Sequence, residues 1–73
     1  MSDRRANIVG TGLIGGSLGL ALRRSGWTVT GSDHDAARAA RALELGAVDA
    51  VGFDPDADIT FVAVPVLAIT DEV

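Results

Sequence analysis

The stretch IVGTGLIGGS, residues 8–17, decides the fold, because it places four glycines between an apolar run and an amphipathic one. Glycine weakens helices and strands alike, so a cluster of this kind indicates a special backbone requirement. Gly10, Gly12 and Gly15 have the spacing G-x-G-x-x-G. Between a strand and a helix, this spacing is typical of a turn that binds the pyrophosphate of a dinucleotide.

Each glycine of the motif has a separate predicted task. Gly10 allows the tight turn out of the strand, Gly12 lets a pyrophosphate approach the backbone, and Gly15 lets the helix lie against the strand. The amides and the positive dipole end of the helix then attract the phosphates. The alternative is a cluster of glycines that only forms a turn.

Hydrophobic patterning supplies the context that the motif requires. Strands are predicted over residues 6–9, 27–32 and 59–64, and a short third strand is predicted within residues 48–53. Helices are predicted over residues 13–25 and 36–45, and a third begins at residue 66. The continuous apolarity of residues 59–64 favours a parallel strand buried on both faces.

This order predicts an α/β fold, a Rossmann-type doubly wound parallel sheet. The chain would supply the first βαβαβ half and the fourth strand. The link before the fourth strand is too short for a crossover helix, which weakens the assignment of the third strand. Both predicted helices would lie on one face of the sheet and leave the other bare. We therefore expect a truncated domain, with residues 1–73 as the N-terminal part of a longer enzyme.

Asp33 follows the second predicted strand, 21 positions after Gly12. A carboxylate there can accept both hydroxyls of an adenosine ribose and repel a 2′-phosphate, which favours NAD over NADP. The alternative role is a capping aspartate. Arg38 or Arg41 could reach a 2′-phosphate and reverse the preference, although a solvated helix face is favoured for both. His34 could lie along the ribose, but a solvated side chain is favoured.

Composition narrows the possible partners. The chain has 73 residues, 48% of them hydrophobic, and a net charge of −4, which suits one domain at most. The acidic balance argues against nucleic acid, and the sequence contains no apolar span long enough for a membrane. The absence of cysteine excludes disulfides and thiolate metal sites and fits the cytoplasm. Residues 54–58 are acidic but lack the glycine and glutamate of a calcium loop, so no metal is expected.

Four segments resemble the N-terminal domain of prephenate and arogenate dehydrogenases. They are GLIGGSLGLALRRSG (12–26), GSDHD (31–35), ALELGAVD (42–49) and VAVPV (62–66). The run Gly15-Gly16-Ser17 is the most specific mark, because the general motif requires neither Gly16 nor Ser17. The resemblance implies oxidative decarboxylation of prephenate to 4-hydroxyphenylpyruvate in tyrosine biosynthesis, with NAD or NADP as the hydride acceptor.

The motif and the resemblance together give the candidate cofactor-binding residues. They are Gly10, Thr11, Gly12, Leu13, Ile14, Gly15, Gly16, Asp33, His34, Val64, Pro65 and Val66. By the resemblance, the turn at 64–66 lies beside the nicotinamide. No catalytic residue is assigned, since the family's catalytic histidine would lie beyond residue 73 and His34 does not occupy its motif.

The resemblance also implies a helical domain, absent from this chain, that binds prephenate or arogenate and forms a homodimer. Two alternatives stay open. One is a non-catalytic nucleotide-binding module. The other is a different dehydrogenase, such as a β-hydroxyacid dehydrogenase or an imine reductase, which the Gly-Gly-Ser run disfavours.

Overall fold

A computed structural model describes residues 4–63 as one parallel sheet with two helices. The elements in chain order are β1 (Arg5–Val9), α1 (Leu13–Arg24), β2 (Thr28–Ser32), α2 (Ala36–Glu44), β3 (Ala50–Val51) and β4 (Ile59–Val62). The strands are ordered β3-β2-β1-β4, and every neighbouring pair is parallel. This arrangement confirms the predicted α/β Rossmann-type fold, with its first half and fourth strand. The predicted helix from residue 66 lies outside the described residues.

The core lies on one face of the sheet, beneath both helices. It consists of Ile8, Val29, Ala42, Ala47 and Val48, with Leu18, Leu22 and Trp27 packed against it. In the strand register Ala6 lies beside Val29, and these residues share a face with Ile8 because side chains alternate along a strand. The two crossover helices therefore cover the same face, as their right-handed connections require.

Two glycines bring α1 into direct backbone contact with its neighbours. A Cβ atom on Gly15 would collide with the carbonyl oxygen of Gly10 and lie 3.2 Å from the Ile8 side chain. A Cβ atom on Gly19 would collide with the carbonyl oxygen of Ala47. The helix therefore lies closer to the sheet than any residue with a side chain at these positions would allow.

The start of α2 has a side-chain cap. The Asp35 carboxylate accepts a hydrogen bond of 3.0 Å from the backbone N–H of Ala37, which satisfies a donor that the first helical turn leaves unpaired. This confirms Asp35 as the N-cap that the sequence predicts.

The prediction that residues 59–64 form a strand buried on both faces is wrong for the described residues. The side chains of Ile59 and Val62 are 42% and 68% exposed. In the register Ile59 lies beside Ala6 and Val62 beside Val9, so the two belong to opposite faces. Within residues 4–63, β4 pairs only with β1 and no helix covers it, so its apolarity does not lead to burial.

The third strand is short, as predicted, and it connects to β4 without a helix. It spans Ala50–Val51, within the predicted segment 48–53, and residues 52–58 then carry the chain to the opposite edge of the sheet. Asn7 holds this link. Its Nδ2 donates to the Asp54 carbonyl (2.7 Å), and its Oδ1 accepts from the Asp54 N–H (2.8 Å). Asn7 adjoins Ile8 in β1, so its side chain lies on the face away from the helices.

Candidate nucleotide-binding site

A cleft of about 470 Å³ opens at the carboxyl ends of β1 and β2. Its lining consists of Gly10, Gly12, Leu13, Ile14, Asp33, His34, Arg38 and Ala63. The strand order reverses here, because the chain proceeds outward from β1 to β2 and β3 and then returns to place β4 on the other side of β1. In open α/β sheets, ligands bind at this switch point.

The glycine turn presents bare backbone to the cleft. Gly10 has a φ of +96°, a conformation that disfavours residues with side chains, and its N–H donates to the Ser32 carbonyl at 2.7 Å. Gly12 is the N-cap of α1 and makes no side-chain cap. A Cβ atom added to Gly12 would meet nothing within 4 Å, so the space beside it is open.

The helix terminus itself suits an anion. No acidic residue lies in the first turn of α1, and the first amides of the helix have no side-chain acceptor. Such amides, together with the positive end of the helix dipole, favour a bound phosphate. The open space at Gly12 and the uncapped helix therefore fit the diphosphate of a dinucleotide.

Asp33 lies beside the turn because of the strand register. Val9, the last residue of β1, pairs with Ser32, the last residue of β2. The residues that follow the two strands, Gly10 and Asp33, therefore lie at the same edge of the sheet. The Asp33 side chain is 3% exposed. Its Oδ2 accepts from the Thr11 N–H at 2.9 Å and from the Thr11 hydroxyl at 3.3 Å, and its Oδ1 accepts from the Asp35 N–H at 2.9 Å.

These hydrogen bonds keep Asp33 ionised. The backbone N–H of Asp35 lowers the pKa of the Asp33 carboxyl, and the Thr11 N–H lowers it further, while burial opposes both. His34 adds a weaker lowering effect on this pKa through its charge. A carboxylate at this edge can accept sugar hydroxyls and repels a second negative group.

Two basic residues lie at this end of the cleft, and both of their side chains are exposed. The His34 side chain is 87% exposed, with Nδ1 3.4 Å from Asp33 Oδ1. Arg38 lines the cleft and lies 3.7 Å from the Asp35 carboxylate. Arg41 lines a second, mostly apolar depression of about 590 Å³ between α1 and α2, which Arg38 borders as well. Gly12 borders both depressions, whereas Asp33 lines the smaller cleft and not the larger depression.

The structure brings together, at one cleft, most of the candidate residues that it describes. Gly10, Gly12, Leu13, Ile14, Asp33 and His34 line the cleft, with Leu13 and Ile14 88% and 74% exposed. Thr11 is buried and bonded to Asp33, Gly15 packs on β1, and Gly16 lines the second depression. Val64, Pro65 and Val66 lie outside the described residues. Sequence reasoning missed Ala63 in the lining and the bond between Thr11 and Asp33.

Two further findings concern residues 4–63. They contain no cluster of three or more acidic or histidine side chains arranged to hold a metal ion. Neither of their helices has the length and apolarity needed to cross a bilayer.

The fold and the site together define a Rossmann-type nucleotide-binding domain, and comparisons with known proteins identify its family. Residues 18–73 match the family described as prephenate dehydrogenase, nucleotide-binding domain. The chain belongs to this family, as the sequence resemblance predicts. No curated protein sequence matches the chain.

Two solved structures are similar to the chain. Arogenate dehydrogenase from Synechocystis superposes with a TM-score of 0.77 at 35% identity, over 84% of this chain and 23% of that one. Prephenate dehydrogenase from A. aeolicus, solved with hydroxyphenyl propionate and NAD+, superposes with a TM-score of 0.76 at 29% identity, over 89% of this chain and 26% of that one. The chain therefore spans about a quarter of the length of each relative.

Proposed function

We propose that this chain supplies the NAD-binding part of a prephenate dehydrogenase, an oxidoreductase of tyrosine biosynthesis. One observation carries the proposal: open, side-chain-free backbone at Gly12 and an ionised Asp33 carboxylate face one cleft in a chain of this family. Arogenate is the alternative substrate. Enzymes named for each substrate occur among the similar structures, an arogenate dehydrogenase and a prephenate dehydrogenase.

Different residues of the cleft bind different parts of the dinucleotide. The turn from Gly10 to Gly12 and the first amides of α1 bind the diphosphate, and Gly15 and Gly16 keep the helix start close to it. Asp33 accepts the hydroxyls of the adenosine ribose, and Leu13 and Ile14 cover the apolar parts of the nucleotide. By the family resemblance, Val64, Pro65 and Val66 would contact the nicotinamide half of the cofactor.

When bound, NAD accepts the hydride that leaves the carbon bearing the ring hydroxyl of the substrate, and loss of carbon dioxide gives 4-hydroxyphenylpyruvate. The residues of this chain hold and orient the cofactor. Substrate binding and dimer formation belong in a helical domain outside these 73 residues, which is in keeping with relatives about three and a half times as long. We place the enzyme in the cytoplasm.

NAD is the preferred cofactor because the ionised Asp33 carboxylate would face the 2′-phosphate of NADP. Isothermal titration of the full-length protein with both cofactors tests this preference. The Asp33→Ala variant should bind NAD about tenfold more weakly, since a hydrogen bond to a charged group contributes about 1.5–3 kcal/mol. It should also discriminate less against NADP, because Arg38 and His34 line the same cleft. Equal affinity of the unmodified protein for both cofactors would contradict the role of Asp33.

Turnover assays of the full-length protein with prephenate, arogenate and β-hydroxyacids test the activity itself. Reduction of NAD with prephenate is the expected result. Reduction with hydroxyacids alone would place the protein among other dehydrogenases, and NAD binding without turnover of any substrate would indicate a non-catalytic module.

A further inference from the structure

Both oxygens of the Asp33 carboxylate accept hydrogen bonds from the protein's own backbone. One oxygen accepts the backbone N–H of Thr11, between the first two motif glycines, and the other accepts the N–H of Asp35, at the start of α2. Both distances are 2.9 Å. The carboxylate therefore links the glycine turn to the loop after β2, across 22 positions of sequence.

Besides the backbone bond from the Gly10 N–H to the Ser32 carbonyl, the turn is held by side-chain contacts at Thr11. Gly10 and Gly12 have no side chains, and a Cβ atom on Gly12 would touch nothing within 4 Å. Thr11 is the one residue of the turn with a side chain, and it is buried, with 7% of its surface exposed. Its hydroxyl also donates to Asp33, at 3.3 Å. Asp33 thus accepts a hydrogen bond from the peptide that joins Gly10 to Thr11, and it also holds the Thr11 side chain, one residue before Gly12.

We propose that Asp33 is a positioning residue for the diphosphate turn, in addition to its role at the ribose. The inference rests on the proposed nucleotide-binding function and adds a second role to the same side chain. By holding Thr11, Asp33 keeps the backbone of Gly12 directed at the cleft, so the diphosphate and ribose subsites are coupled. Binding of a nucleotide without ribose hydroxyls should therefore still depend on Asp33.

Asparagine at this position disrupts the link that the two carboxylate oxygens make. An amide has one acceptor atom and one NH₂ group, whereas both oxygens of Asp33 receive N–H donors. In the Asp33→Asn variant one of the two backbone N–H groups must face another donor, so the link between the turn and the loop breaks. The side chain keeps its size, so packing around β2 is retained.

The test measures the affinity of the full-length protein for ADP and for 2′,3′-dideoxy-ADP, which carries the diphosphate but no ribose hydroxyls. Asp33→Asn should weaken binding of the dideoxy nucleotide about tenfold, the effect of losing one charge-assisted hydrogen bond. Asp56→Asn, in the loop between β3 and β4, is the matched control and should leave both affinities unchanged. Unchanged affinity for the dideoxy nucleotide in folded Asp33→Asn would overturn the proposal.

A second measurement needs no variant and keeps the inference testable if Asp33→Asn does not fold. In the unmodified protein, the NMR shift of the Thr11 amide proton should follow the acid titration of the Asp33 carboxyl carbon. A Thr11 shift that stays constant while Asp33 titrates would overturn the link. The NMR measurement requires no nucleotide, so it tests the link independently of binding. Failure of the unmodified protein to bind either nucleotide would refute the proposed function instead.

Discussion

Asn7 and Asp54 exchange two hydrogen bonds between an amide side chain and a backbone 47 positions away. Asn7 is 1% exposed, and its Nδ2 also donates to the Thr60 hydroxyl at 3.3 Å. This pairing fixes the link between β3 and β4 on the face of the sheet that the helices do not cover. It explains how the chain reaches the other edge of the sheet without a crossover helix.

Replacing Asn7 with leucine should lower the free energy of unfolding by about 2 kcal/mol, because the Asp54 N–H and carbonyl lose their partners. The melting temperature should fall by about 10 °C, the shift expected for a domain of this size. Urea unfolding and calorimetry measure these changes. Thr60→Val removes only the 3.3 Å bond between Asn7 Nδ2 and the Thr60 hydroxyl. It serves as the control, with a smaller expected loss in the free energy of unfolding. Equal stability of Asn7→Leu and the unmodified protein would show that the link is held in another way.

Alanine at two adjacent glycines should have opposite effects. Gly15→Ala places a methyl group against the Gly10 carbonyl oxygen, so we expect a loss of about 2–3 kcal/mol from overpacking. In Gly16→Ala the methyl group would lie 4.0 Å from the Thr11 carbonyl oxygen, an ordinary contact. Alanine is the better helix former by about 1 kcal/mol, so Gly16→Ala should be neutral or stabilising. Similar losses in both variants, measured by urea unfolding, would contradict the close packing of α1.

Valine at Gly12 should abolish cofactor binding and leave the fold largely intact. The side chain would enter open space rather than protein atoms, and this is the space proposed for the diphosphate. We expect NAD affinity to fall at least about 100-fold, which corresponds to about 2.7 kcal/mol. Calorimetric titration measures affinity, and circular dichroism confirms folding. Ala40→Val, on the exposed side of α2, is the control. Unchanged NAD affinity in Gly12→Val would remove the glycine turn from the site.

Stability should decline in acid partly through Asp33. Its pKa is lowered in the folded protein, chiefly by the Asp35 N–H, so the ionised form stabilises the fold. This contribution is present above the unfolded pKa, near 3.9, and is lost as the pH falls through the lower folded value. The free energy of unfolding should therefore decrease less steeply below pH 4 in Asp33→Asn than in the unmodified protein. Parallel pH profiles from urea titrations would contradict this account.

Much of the fold follows from local patterns. The G-x-G-x-x-G spacing, the helical period of residues 13–25 and the cap at Asp35 depend on neighbours along the chain, so the sequence predicts them within a few residues. The strand order also follows, because short connections and right-handed crossovers leave few alternatives. The position of Asp33 at the end of β2 is predicted in the same way.

The sequence by itself determined the glycine turn, the α/β order and the acid beside the turn, because backbone freedom and hydrophobic period are local properties. Only the tertiary structure decided the exposure of Ile59 and Val62, since burial depends on which elements cover a strand rather than on its own apolarity. It alone also paired Asn7 with Asp54 and Thr11 with Asp33. These bonds depend on strand register, which joins residues that no local pattern relates.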